Sequence, residues 1–110
     1  MNNKAYGMIG LATRARKIVS GEFSTEKAVK TRSAFLVLVA EDASDNTKKL
    51  FQDKCAYYEV PVRIFGTKAE LGAAMGKELR ASVAITDLNF ATQIMKHIDV
   101  LSLDAQEADR

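Results

Sequence analysis

The sequence predicts an α/β protein, a three-layer α/β/α sandwich around a four-stranded mixed sheet. Three observations predict it. Segments of helical periodicity alternate with short apolar runs along the whole 110-residue chain. The run Phe35-Leu-Val-Leu-Val-Ala40 is apolar at every position, as strands covered on both faces are. Capping and stopping residues stand where one period gives way to the next. Alternating elements of this kind bury their apolar faces by layering helices on both sides of a sheet.

The elements follow in order. Ala5, Met8, Ile9 and Ala12 fall at i, i+3, i+4 and i+7, which predicts an amphipathic helix over residues 3–15. Ile18-Val19 is a short strand stopped by Gly21. Residues 23–31 read as a second helix, with Phe23 at its start and Ala28 and Val29 facing inward. Residues 35–40 are the second strand. The segment EDASDNTKKL then opens a third helix, with Ser44 or Asp45 able to accept backbone N–H bonds at its start. Thr47, Leu50, Phe51, Cys55 and Tyr58 share roughly one face of that helix. Pro61 stops it, and Val62-Arg-Ile-Phe65 is the third strand. Thr67-Lys-Ala-Glu70 has capping-box spacing and opens a short fourth helix that Gly76 ends. Ser82-Val-Ala-Ile-Thr86 is the fourth strand, and Ala91, Ile94 and Ile98 mark the last helix. Residues 1–103 are expected to form a single domain, and residues 104–110 a flexible acidic tail.

Bulk composition narrows the function. The chain is 47% hydrophobic and 27% charged, which suits a globular protein. No apolar run approaches the roughly 20 residues needed to span a membrane. Cys55 is the only cysteine, so no internal disulfide is expected, and the cytoplasm is the expected compartment. The net charge of +2 is unevenly spread. Residues 1–33 hold seven Lys/Arg against two Glu, a balance of +5. Residues 34–96 hold eight of each sign, and residues 97–110 hold four acids against Arg110, a balance of −3. That asymmetry points to a polyanion-facing end.

No catalytic group is expected. Cys55 lies on an apolar helix face and reads as core filling. His97, the only histidine, reads as a surface residue near a helix C-terminus. No metal site is expected either. Asp42, Ser44 and Asn46 mimic the start of a calcium loop, but Thr47 stands where glycine is needed and Asp53 replaces the bidentate glutamate. No cofactor motif is present. Glu41-Asp42 at a strand end is the one alternative small-ligand position.

The basic residues carry more information. Arg14, Arg16 and Lys17 precede the first strand, and Lys27 and Lys30 project from the helix after it. Gly21 is expected to bring the two groups into one neighbourhood. Free N–H groups at the second helix N-terminus, helped by the macrodipole, could meet a phosphate or a guanine edge. Ser24 and Thr25 add hydroxyls, and Glu22 could accept from a guanine amino group. An ordinary capped helix with solvated lysines is the competing reading.

Several motifs recur in an order shared with a known family: Gly21 with Lys27-Ala-Val29, then FLVLVAEDAS, CAYYEVPV, LGAAMGKE and SVAITD. Over residues 5–98 the chain resembles the kink-turn RNA-binding ribosomal protein superfamily. LATRARKIVSGE and EDASDNTKK look closest to its bacterial YlxQ-like branch. The resemblance implies an α/β/α sandwich that recognises a sharply bent RNA loop with sheared G·A pairs. It implies that Gly21–Lys27 enters the widened groove at the bend. It also implies that the loop Gly76–Val83 covers an extruded nucleotide. Aligned on Gly21 and Lys27, Phe23 and Ser24 stand where archaeal and eukaryotic members carry the Asn and Glu that read the guanines. Phosphate contacts from Arg16, Lys27 and Lys30 are unaffected by that change.

The expected RNA-facing residues are therefore Arg16, Lys17, Gly21, Glu22, Phe23, Ser24, Lys27, Lys30, Lys77, Arg80, Ala81, Ser82 and Val83. The expected partner is structured RNA, with ribosome or ribonucleoprotein association, from a monomeric protein that does not enter membranes. A protein–protein adaptor on the same fold is the alternative.

Overall fold

The computed structural model describes residues 3–108, with side chains through Val100. Its elements are α1 (Lys4–Arg14), β1 (Ile18–Ser20), α2 (Glu22–Lys30), β2 (Leu36–Val39), α3 (Asp45–Tyr58), β3 (Val62–Ile64), α4 (Lys68–Ala74), β4 (Ser82–Ile85) and α5 (Leu88–Ala108). The strands lie in the order β1-β4-β2-β3. β4 pairs antiparallel with both β1 and β2, and β2 pairs parallel with β3, so the sheet is mixed. α1, α4 and α5 pack together on one face, and α2 packs with α3 on the other. This is the three-layer α/β/α sandwich that the alternation of elements predicts.

The core lies where the unbroken apolar runs lie. Leu36, Val37, Leu38 and Val39 have no exposed surface, because β2 is central and helices cover both its faces. Val83, Ala84 and Ile85 of β4 are equally buried. α1 contributes Ala5, Ile9 and Ala12, α3 contributes Phe51 and Cys55, and α5 contributes Ala91, Ile94 and Ile98. Burial pushes the Cys55 thiol up to about 11, which keeps it a protonated, inert core group.

Caps set the helix starts. Ser44 rather than Asp45 caps α3: its Oγ accepts the Thr47 N–H at 3.1 Å. At α4 the Thr67 hydroxyl accepts the Glu70 N–H at 3.1 Å, and the Glu70 carboxylate accepts the Thr67 N–H at 3.0 Å. Asp42 adds a third acceptor there, taking the Lys68 N–H at 2.8 Å. The calcium-like spacing of Asp42 and Ser44 is thus explained by two helix starts. Glu70 also accepts a bond from the Tyr6 hydroxyl at 3.1 Å, which ties α1 to α4. Burial and that carboxylate push the Tyr6 hydroxyl up to about 12.

Two expectations change at the C-terminal end. His97 is half-buried in the middle of α5, not near its end, because the helix continues to Ala108. The helical backbone therefore enters the segment expected to be a tail, over a run rich in helix formers such as Leu, Ala, Gln and Glu. Residues 109–110 of that segment lie outside the described residues.

Candidate nucleic-acid interface

The strand order brings two distant loops together. β4 lies between β1 and β2, so its first residues stand beside the end of β1. The Gly21 N–H donates to the Ser82 carbonyl at 3.0 Å, and the Ala40 N–H donates to the Ala81 carbonyl at 2.9 Å. The Arg80 Nε donates to the Ser20 hydroxyl at 3.0 Å across 60 residues of sequence. The turn at Gly21 and the loop from Gly76 to Ala81 therefore form one surface at one end of the sheet.

The turn itself leaves donors free. Gly21 is the N-cap of α2 with φ 92° and ψ 158°, a backbone state that side chains rarely adopt. A glycine has no side chain to cap the helix, and none caps it. Among the described residues, the N–H groups of Glu22, Phe23 and Ser24 have no acceptor, whereas Thr25 N–H reaches the Gly21 carbonyl at 3.0 Å. Three free N–H groups and the helix macrodipole make an anion-accepting end.

The expected site residues divide by position. Glu22, Phe23, Ser24 and Lys27 are exposed along the first turns of α2, and Phe23 is 78% exposed. Lys77 is exposed in the neighbouring loop, and Arg80 is half-buried against Ser20. Lys30 is exposed but ion-paired to Glu26 at 3.3 Å. Among the described residues, Arg16, Lys17, Lys27, Lys77 and Arg80 enter no ion pair, so their charges are available to a partner.

Arg16 and Lys17 do not join the Gly21 turn. They stand at the opposite end of β1, where the Lys17 carbonyl accepts the Thr86 N–H at 2.8 Å. The three residues of β1 separate Lys17 from Gly21, four residue steps or about 13 Å of extended chain. α2 returns toward that end, so the two cations sit nearer its C-terminal half. A groove of about 320 Å³ connects the two ends, lined by Val19, Phe23, Ser24, Lys27, Thr31 and Thr86, among others.

Two further expectations are corrected. Ser82 is 1% exposed and Val83 has no exposed surface, because both already lie in β4 between its two partner strands. Neither side chain can cover an extruded nucleotide. The apolar residue that this loop does present is Leu79, 61% exposed and adjacent to Arg80. Its signal in the sequence was an apolar residue between charged neighbours after the Gly76 helix stop, where no helix or strand face needs it. Ser20, which accepts the Arg80 bond, carried no local signal at all.

Comparison with known proteins identifies the family and the fold. The family model for the ribosomal protein L7Ae/L30e/S12e/Gadd45 family matches residues 3–96. The chain belongs to that family. Within this family it resembles RNA-binding protein YlxQ of Bacillus subtilis (strain 168), 47% identical over 94 residues, which cover 86% of this chain and 94% of the relative. It is 42% identical over 96 residues to RNA-binding protein YlxQ of Enterococcus faecium, covering 87% and 92%. It is thus a YlxQ-like member of the L7Ae/L30e/S12e/Gadd45 family. Among solved structures, a Bacillus halodurans C protein described as of unknown function superposes with a TM-score of 0.87 at 37% identity, covering 89% of this chain and 99% of that one. The Giardia lamblia 15.5kD RNA binding protein has a TM-score of 0.75 at 22% identity, covering 92% of each chain, a likeness of fold. A family of ribosomal proteins is not an enzyme family, and this chain is a non-enzymatic member. Among the described residues, no helix is long and apolar enough to cross a membrane.

Proposed function

We propose that this chain is a non-catalytic RNA-binding protein that holds RNA in a sharply bent, kink-turn-like state. The observation that carries the reading is the single surface made by the Gly21 turn and the Gly76–Ala81 loop. Its uncapped helix start offers three N–H donors. Lys27, Lys77 and Arg80 add cations that enter no ion pair among the described residues, set against Glu22 in the first turn of α2 and Glu78 beside Lys77. A bend draws phosphates together, and a compact set of cations and N–H groups stabilises that crowding more than it stabilises a straight duplex. The names of the two YlxQ relatives, both RNA-binding proteins, support the partner class.

Recognition is then by shape and phosphate. Phe23 and Ser24 occupy the centre of the turn, and neither presents the paired donor and acceptor groups of a bidentate base contact. Leu79 offers apolar cover for an unstacked base in the second loop, the role that the family resemblance implies for the loop Gly76–Val83. A monomer acting in the cytoplasm, in association with a ribosome or another ribonucleoprotein, fits this reading.

Salt dependence tests the partner class. Three phosphate contacts predict that the logarithm of the affinity for a kink-turn RNA falls with the logarithm of salt concentration at a slope of about −2 to −3. A gel-shift titration at several salt concentrations measures it. A flat dependence, or no RNA binding, would favour the protein–protein adaptor instead.

A further inference from the structure

A second aromatic and basic surface lies on the outer face of the α2–α3 layer. Tyr57 is 78% exposed at the end of α3. Its ring meets that of Tyr58 edge to face, with centroids 4.9 Å apart and planes at 77°. The Arg32 guanidinium lies over the Tyr58 ring, 5.4 Å from its centroid. Tyr58 is thereby clamped between two neighbours, and it holds Tyr57 in a defined orientation facing solvent. A hollow of about 430 Å³ lies beside the pair, lined by Asp53, Lys54, Tyr57 and Tyr58.

The backbone of Arg32 is unusual. It follows the end of α2 with φ 61°, the left-handed state that glycine adopts most readily. An arginine at such a position is there at a conformational cost, and its visible contact is the Tyr58 ring. Two nearby acids are already engaged, whereas Glu59, next to Tyr58, is exposed and enters no ion pair among the described residues. Asp53 is paired with Lys49 at 2.9 Å, and Glu26 is shared by Lys30 at 3.3 Å and Lys54 at 3.8 Å. Through Glu26, the cations of α2 connect to those of α3 without a break. The surface therefore continues from Phe23, Lys27 and Lys30 onto Lys54 and Tyr57.

We propose that this face is a stacking platform for single-stranded RNA that leaves the bent element, with a nucleobase on Tyr57 and flanking phosphates near Arg32 and Lys54. The proposal rests on the RNA reading above and adds a second contact region to it. Exposed aromatics interleaved with cations are how single strands are held without sequence preference, because every base has a π-face and every nucleotide a phosphate. A protein segment rich in acids would match the charge but would leave a fully presented tyrosine ring without a planar partner.

The test uses the full chain and a kink-turn RNA, either blunt or extended at each end in turn by six single-stranded adenylates. One extension is expected to raise affinity about tenfold. Tyr57→Ala removes that gain and leaves blunt-RNA affinity unchanged, and Tyr57→Phe retains it. Arg32→Gly suits the left-handed backbone, so its melting temperature holds or rises while the gain shrinks about threefold. An isolated adenylate hexamer carrying 2-aminopurine is read separately at low salt. Stacking quenches its fluorescence with the wild type and with Tyr57→Phe, but not with Tyr57→Ala. If the hexamer is quenched in this pattern and no bent RNA binds, the platform stands and the bent-RNA reading falls. If bent RNA binds but neither the extension nor the hexamer responds to Tyr57, the platform is overturned. Binding of an acidic peptide at this face, with no response to the hexamer, overturns it as well.

Discussion

Lys27→Ala combined with Arg80→Ala lowers affinity for a kink-turn RNA by about 100-fold. Each side chain is expected to make a charge-assisted contact to phosphate, and such contacts contribute roughly 1.5–3 kcal/mol each, or about tenfold or more. Lys27 stands in the second half of α2, lining one groove with Phe23 and Ser24, and Arg80 crosses from the neighbouring loop to Ser20. The two cations thus approach the bend from different loops, so their losses should add. The salt slope becomes shallower by about 2, close to 0.9 for each lost phosphate contact. The matched control is Lys4→Ala with Lys96→Ala, which removes the same charge from exposed positions on α1 and α5, in the other helix layer. The control should change affinity less than about threefold. Equal losses in the two double mutants would mean that net charge alone carries binding and that the Gly21 surface has no special part in it.

Gly72→Ala destabilises the fold by about 2 kcal/mol, the upper end of an overpacking cost less a helix-propensity gain, and weakens RNA binding at the same time. Gly72 lies in α4, fully covered by the loop that follows the helix. A methyl group there would run into the backbone carbonyl of Glu78. The obstacle is main chain rather than a flexible side-chain tip, so it cannot rotate away. Overpacking of this kind typically costs about 1–3 kcal/mol and sometimes more, while alanine's better helix propensity returns about 1 kcal/mol. The loop is also held by the Lys77 N–H on the Gly72 carbonyl at 2.8 Å and the Arg80 N–H on the Lys68 carbonyl at 3.0 Å. Displacing it moves Lys77 and Arg80 away from the Gly21 turn. A melting temperature about 10 °C or more below wild type is expected for a chain of this size. A shift below about 2 °C with unchanged RNA affinity would show that the loop yields freely and does not position those cations.

Much of the architecture was legible locally. The apolar run 35–40 marks a central strand because β2 is buried on both faces. The Thr67-x-x-Glu70 spacing marks a capping box because both of its hydrogen bonds form. The expected RNA-facing turn was legible because Gly21 and the uncapped helix start are neighbours in sequence. What local patterns do not carry is strand order. Nothing in the periodicity of residues 82–86 says that β4 inserts between β1 and β2, and that insertion brings Arg80 to Ser20. The same non-local pairing buries Ser82 and Val83, strand residues that the family resemblance nevertheless implies as part of a nucleotide-covering loop. It also sets Lys17 at the far end of β1 from Gly21, although the two are four residues apart.

The central claim is that this surface stabilises a bend. Titrating the protein against a kink-turn RNA and a straight duplex of the same length and composition, at one salt concentration, tests it most directly. Preference for the bent state must appear as differential affinity. The kink-turn RNA is expected to bind about tenfold more tightly or better. Equal affinity for the two RNAs would contradict shape recognition and reduce the surface to a nonspecific basic patch.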